Sequence, residues 1–285
     1  MAISTVGVVG CGLMGSGIAQ VCAQKGYRTI VREVNEELLA RGLGRIRAFL
    51  QEGVKRGKVA QADADKALAN LSGSTHLADL KDCDLVIEAV IEDLEEKRKV
   101  FAELDRACKA GAILASNTSS ISITAMAAAT KRPDRVLGIH FMQPVPIMKL
   151  VEIVRPETAS DATYAEARKF AESLGKTTIT AKDTPGFIVN LLLVPYLCEA
   201  VRAVESGLAT KEDIDTGMEL GCGMPMGPIK LIDFVGLDTA LHIADVLYEE
   251  FKDPRYAAPP LLRRLVRAGR LGKKSGAGFY DYAGK

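Results

Sequence analysis

Only three histidines occur in the 285 residues, and one of them, His140, precedes an acid, Glu152, by twelve positions in the stretch HFMQPVPIMKLVE. An imidazole titrates near neutrality, so it can take a proton from a hydroxyl at physiological pH. A carboxylate beside it would fix the ring and stabilise the imidazolium that forms. Fully extended, the intervening chain would hold the two residues roughly 40 Å apart, so they meet only if it reverses between them. Pro144 and Pro146 supply the break, because neither can donate a ladder hydrogen bond. The apolar runs 136–140 and 150–154 then read as neighbouring strands. Taken singly, His140 would be a strand-end histidine and Glu152 an exposed strand acid. His76 and His242, with no motif around them, take that plain reading.

A second constellation stands at the start of the chain. GVVGCGLMGSGIAQ places Gly10, Gly12 and Gly15 directly after a strand-like run and at the opening of a helical pattern. Gly10 permits the tight turn, Gly12 lets the backbone approach a pyrophosphate, and Gly15 lets helix and strand pack closely. Leu13 and Met14 lie at the helix start and join the glycines as cofactor-binding candidates. Glu33 lies eighteen residues beyond Gly15, at the expected end of the second strand. A carboxylate there accepts from a ribose diol and repels a 2′-phosphate, which argues for NAD; Arg32 beside it leaves NADP open. A dinucleotide site and a His–Glu pair fit hydride transfer from an alcohol, where a base takes the hydroxyl proton and donors meet the forming carbonyl oxygen.

The elements that must position these residues follow from spacing. Residues 5–9, 27–31 and 84–90 read as strands, and 112–116, 136–140, 150–154 and 177–180 as further short ones. Between 35 and 71 two helices rich in both charge signs are broken near 53–58. The helix that follows 84–90 places Leu94, Phe101, Leu104 and Cys108 on one face. Strands alternating with helices predict an α/β Rossmann-like fold with a mostly parallel, doubly wound sheet. After KDTPGF the apolar spacing is helical throughout. The expected organisation is a dinucleotide-binding domain over 1–184, with a helical hairpin insertion at about 36–71, and an all-α domain over 185–285.

Bulk properties exclude several function classes. A formal charge of +1, with 48% apolar and 26% charged residues, gives no electrostatic case for nucleic acid or a membrane surface. The six cysteines include no C-x-x-C pair or Cys/His cluster, so no metal site is expected. Cys22, Cys108 and Cys198 fall inside apolar patterns, as free thiols do in a reducing compartment. The first residues carry no secretory pattern, and the expected location is cytoplasmic.

The ordered motifs resemble those of the 3-hydroxyacyl-CoA dehydrogenase family, and within it the short, single-function 3-hydroxybutyryl-CoA dehydrogenases. The resemblance spans nearly the whole chain: the glycine turn, ASNTSSISIT (115–124), HFMQPVPIMKLVEIVR (140–155), DTPGFIVN (183–190), PMGP (225–228) and LGKKSGAGFY (271–280). It implies that His140 is the catalytic base and Glu152 the acid paired with it. It further implies that Ser119 bonds the substrate's 3-oxygen, that Asn190 lies near substrate and histidine, and that Glu92 and Lys97 line the nicotinamide side of the cofactor. It implies an acyl-CoA substrate and a homodimer formed through the C-terminal domain. On residues alone, Ser119 could be a turn serine, Asn190 a helix-start residue and Glu92/Lys97 a surface pair.

Three positions call for separate comment. Gln143 stands where the family has Asn, in a substrate-binding position, and one extra methylene moves its amide by about a bond length. Met142 replaces a common Phe, and Leu191 a common Arg. Lys55, with Arg41, Arg45, Arg47, Arg56 and Lys58, could meet the phosphates of coenzyme A, or could belong to a solvated face balanced by Glu36, Glu37 and Glu52. Two other functions stay open from sequence: a dehydrogenase of free hydroxy or sugar acids, and a non-catalytic dinucleotide-binding sensor.

Overall fold

The computed structural model describes residues 3–283, and the chain divides into two compact units, Met1–Thr184 and Pro185–Lys285. In the first unit, β1 (Thr5–Val9), β2 (Arg28–Arg32), β3 (Leu71–Ser74), β4 (Leu85–Glu88), β5 (Ile113–Ser116), β6 (Val136–Phe141), β7 (Leu150–Arg155) and β8 (Thr177–Lys182) form one sheet. Its order is β3-β2-β1-β4-β5-β6-β7-β8, and every neighbouring pair is parallel except β6–β7. Winding reverses between β1 and β4, which creates the crevice at the strand C-termini where ligands of open α/β sheets sit. β4, β5 and β6 are buried along their whole length, which is why they read as continuous apolar runs.

Six helices cover this sheet: α1 (Leu13–Gln24), α2 (Glu36–Lys55), α3 (Gln61–Ala69), α4 (Leu94–Ala107), α5 (Ile123–Ala127) and α6 (Asp161–Ser173). The Asn35 side chain accepts from Leu38 N at 2.9 Å and starts α2, with Glu36 and Glu37 in its first turn. The helical hairpin ends at Ala69 rather than 71, because Leu71 opens β3. Its sequence, LSGS, has little strand propensity; pairing with β2 from Thr29 to Arg32 holds it extended. On α4 the apolar spacing buries Phe101 and Leu104, but Leu94 remains 36% exposed at the helix start. The inward position there belongs instead to Lys97, 1% exposed.

The second unit contains α7 (Val189–Glu205), α8 (Lys211–Cys222), α9 (Pro228–Val235), α10 (Leu237–Phe251) and α11 (Pro260–Arg267). Leu197, Val201, Ile229, Ile232 and Leu247 form the centre of its core. Among the described residues it has no strand, only isolated bridges joining Ala277 to Gly272 and Asp281. Asp215 and Asp233 anchor the loops. Asp215 accepts from Ile229 N at 2.7 Å and Lys230 N at 3.1 Å, and a Cβ on Gly227 would fall 2.4 Å from it. Asp233 accepts from Phe279 N and Tyr280 N, each at 2.8 Å, and pins the glycine-rich tail. All six cysteines are free thiols, five of them buried.

Candidate active site

The β6–β7 ladder answers the first question raised by the sequence. The chain reverses after Phe141, and the antiparallel register places His140 directly opposite Glu152. Directly opposed residues share a face of the sheet, so their side chains are neighbours by construction. His140 Nδ1 lies 2.6 Å from Glu152 Oε2, with the imidazole 4% and the carboxylate 0% exposed. A carboxylate can only accept, so Nδ1 carries the proton and Nε2 presents its lone pair. The Ser119 hydroxyl lies 3.1 Å from that nitrogen and donates to it.

The reversing loop is held from two sides. Lys176 Nζ donates to Val145 O at 2.6 Å and Met148 O at 2.7 Å, and burial lowers the pKa of this ammonium. Val145 packs so closely on α1 that a Cβ at Gly17 would fall 2.9 Å from its Cβ. Gln143 is exposed and lines a cavity of about 170 Å³ with Leu13, Gln20, Arg45 and Phe49. Lys55 is exposed at the end of α2 and does not line that cavity.

Ser119 belongs to a wider polar network that runs behind the strand ends. Its backbone N–H donates to Glu92 Oε1 at 2.8 Å, and Thr118 Oγ1 donates to the same oxygen at 3.0 Å. Glu92 Oε2 pairs with Lys97 Nζ at 3.0 Å, and Lys97 pairs with Glu88 Oε1 at 2.7 Å. Glu88 is 0% exposed and also accepts from Ser116 Oγ and Val90 N, each at 2.7 Å. The Glu92/Lys97 pair is therefore no solvated surface pair: an ammonium this deep persists only when paired and hydrogen-bonded.

Sequence reasoning passed over four contributors. Glu88 is one, though an acid inside the apolar run DLVIEAV is the sort of buried polar position that signals a partner. Ser116 is its hydroxyl donor. Asn117, at the end of β5, accepts from Phe141 N at 2.9 Å and ties the NTSS segment to the strand bearing His140. Asp183 accepts from Ile123 N at 2.9 Å and Thr124 N at 2.7 Å, supplementing the Ser122 cap that starts α5. Asn190 lies in the first turn of α7, half-buried, within the second unit.

At the other end of the crevice the glycine turn has the form a dinucleotide needs. Gly10 has φ +92°, and a Cβ there would meet Ala89 O at 2.6 Å, while one on Gly15 would lie 1.8 Å from Gly10 O. Those two glycines are demanded by the fold. A Cβ on Gly12 would meet nothing within 4 Å, so the space in front of it is open, as a pyrophosphate approaching the backbone requires. Leu13 and Met14 open α1 behind it, with no capping side chain and no acid in the first turn, leaving its N–H groups for an anion. Glu33 Oε1 accepts from Cys11 N at 2.8 Å, and Oε2 accepts from Val34 N at 2.8 Å, which fixes the carboxylate beside the turn. Burial, and then Glu33, push the Cys11 thiol up to about 11, so it stays neutral behind the turn.

These residues fit a dinucleotide, and similarity to known proteins points the same way. Residues 5–184 match the sequence model for the NAD-binding domain of 3-hydroxyacyl-CoA dehydrogenases, and 186–282 match that for the C-terminal domain. A 3-hydroxybutyryl-CoA dehydrogenase of Mycobacterium tuberculosis is 53% identical over 99% of both chains. The mitochondrial hydroxyacyl-coenzyme A dehydrogenase of Homo sapiens is 44% identical, over 98% of this chain and 91% of that one. The crystal structure of an (S)-3-hydroxybutyryl-CoA dehydrogenase from Ralstonia eutropha superposes with a TM-score of 0.94 at 45% identity, covering 99% of this chain and all of the other.

Proposed function

The chain belongs to the 3-hydroxyacyl-CoA dehydrogenase family and is an NAD-dependent oxidoreductase, and from that premise we propose that it interconverts (S)-3-hydroxybutyryl-CoA and acetoacetyl-CoA through His140. The observation that supports this mechanism is the in-register His140–Glu152 pair, whose Nε2 faces the Ser119 hydroxyl. Gly10, Gly12 and Gly15, with Glu33, would hold the adenosine-pyrophosphate half of NAD, and Glu92 and Lys97 are assigned to its nicotinamide half. When bound, NAD+ supplies the acceptor for the hydride that leaves C3.

His140 Nε2 takes the proton of the 3-hydroxyl as that hydride departs. Once protonated, the ring donates from both nitrogens, and Glu152 stabilises the added charge through Nδ1–H. Before that transfer the Ser119 hydroxyl swings from Nε2 to the substrate oxygen and donates to it, which frees the Nε2 lone pair for the 3-hydroxyl proton. Asn190 is assigned as a further substrate contact. Gln143 and Arg45 line the cavity between α1, α2 and the reversing loop, and we assign them to the acyl-CoA arm, with Arg45 supplying positive charge. Lys55 keeps only the weaker assignment of an outlying cation for the phosphates.

We further assign a homodimer through the second unit, where Leu192, Leu220 and Phe234 remain 69%, 83% and 52% exposed. Six free thiols support a cytoplasmic location, and no helix of the described residues is long and apolar enough to cross a membrane.

The deciding assay follows absorbance of the reduced cofactor with acetoacetyl-CoA, repeated with NADPH and with free acetoacetate. Oxidation of NADH that requires the CoA ester is expected, with NADPH the poorer donor because of Glu33. Equal rates with free acetoacetate would transfer the assignment to a free-acid dehydrogenase. Absence of turnover by folded, NADH-binding protein would overturn the proposal.

A further inference from the structure

The network behind Ser119 contains more charge than positioning requires. Glu88, Lys97 and Glu92 are linked at 2.7 Å and 3.0 Å, two carboxylates to one ammonium, for a formal charge of −1. Two of the three side chains are sealed from water, Lys97 at 1% and Glu88 at 0% exposure, and Glu92 is 30% exposed. Their position along the sheet is informative. The glycine turn follows β1 and Glu33 follows β2, so the adenosine half of a dinucleotide would take the β1–β2 side of the crevice. Glu88 ends β4 and Ser116 ends β5, on the opposite side of the switch point, so the nicotinamide half belongs to them.

The oxidised nicotinamide ring carries a positive charge and the reduced ring carries none. We infer that Glu88 is a redox-state specificity residue: by keeping the Glu88–Lys97–Glu92 cluster at −1, it makes the site hold NAD+ more tightly, relative to NADH, than a neutral cluster would. Lys97 alone against Glu92 would be a neutral pair. Glu88 converts it into a net anion in a low-dielectric setting where a unit charge is poorly screened. Glu152 adds another carboxylate nearby, but it is common to every variant below and drops out of the comparison.

The inference rests on the NAD-dependent reading of the site, and the test separates the two. Dissociation constants for NAD+ and for NADH are measured by fluorescence or calorimetric titration, without substrate, on wild type, Glu88→Gln, Lys97→Met and the double variant. Glu88→Gln takes the cluster from −1 to 0 and should weaken NAD+ relative to NADH by about tenfold, the scale expected of one poorly screened unit charge. Lys97→Met leaves the buried Glu88 without a cation, which favours its protonated form, so the cluster stays near −1 through Glu92 and the ratio should stay near wild type. The double variant restores −1 with an uncharged pair, so its ratio should return toward wild type even if both affinities fall. It also removes an ammonium left with one carboxylate partner in place of two, and serves as the folding-competent control. Equal weakening of both cofactor forms by Glu88→Gln, or a double variant no closer to wild type than Glu88→Gln, assigns Glu88 to structure alone and overturns the inference. Wild type that binds neither form would overturn the reading of the site itself.

Discussion

Each unit buries two carboxylates almost completely: Glu88 and Glu152 in the first, Asp215 and Asp233 in the second. The first pair stand on strands, and each faces a side chain that can carry a proton, Lys97 or His140. The second pair face backbone N–H groups and tyrosine hydroxyls, with Tyr280 Oη donating to Asp215 at 2.7 Å and Tyr282 Oη to Asp233 at 3.1 Å. Burial alone is therefore a poor guide to function. The partner decides: a carboxylate satisfied by backbone fixes a loop, whereas one satisfied by a basic side chain controls a charge at the crevice.

Chemistry should show the largest effect. Glu152→Gln keeps the shape but loses the charge that supports protonated His140, and kcat should fall by about 10²- to 10⁴-fold. His140→Gln should fall at least as far, with thermal melting close to wild type in both. Full activity in either variant would separate the pair from the mechanism.

A smaller effect of a different kind is expected in the second unit. Asp233→Asn turns one acceptor into a donor facing the N–H of Phe279 or Tyr280, which should cost about 3 kcal/mol of stability. Urea unfolding should report that loss while turnover per folded molecule is unchanged. A fall in kcat as large as that of Glu152→Gln would break the distinction between the two kinds of carboxylate.

Asp84 gives the smallest and most discriminating case, because it lies in the first unit and combines backbone N–H donors, as in the second unit, with a basic side chain. It accepts from Ser4 N at 2.7 Å and Thr5 N at 2.9 Å, where β1 begins, and from Lys109 Nζ at 2.6 Å. Burial pulls its carboxyl upward, but Lys109 and the Ser4 and Thr5 N–H groups outweigh that and hold it well below the usual carboxylate range. A depressed folded pKa gives stability that is complete above the unfolded value, about 4, and is lost as pH falls through the folded one. Asp84→Asn should therefore lower the melting temperature at pH 7 by an amount equivalent to about 1 kcal/mol. The gap to wild type should shrink in acid, while kcat at pH 7 stays unchanged.

The sequence exposed the parts of the fold that rest on local rules. The glycine turn, the fully buried strands and the helical texture after 187 all follow from spacing and composition. His140 and Glu152 could be paired on paper because two prolines lie between them. β3 could not be read, because LSGS is extended only through its neighbour β2. Lys97 looked exposed for a related reason: helical spacing gives the direction of a side chain, but the carboxylate that makes its burial tolerable lies nine residues earlier, on β4. Asp215 and Asp233 were equally silent, since most of their partners are backbone groups, and the tyrosine hydroxyls that also donate to them lie more than forty residues further along the chain.

The β6–β7 register has a practical consequence for redesign. The distance from His140 to Glu152 is set by the ladder, so the loop across 142–149 can change without moving the reacting groups. That loop is in effect an exchangeable cassette with two fixed mounting points: Val145 against Gly17, and the carbonyls gripped by Lys176. Met142 and Gln143 are the cassette's side chains nearest His140 in sequence. A library at these two positions could explore new acyl groups while the proton-transfer machinery stays in register.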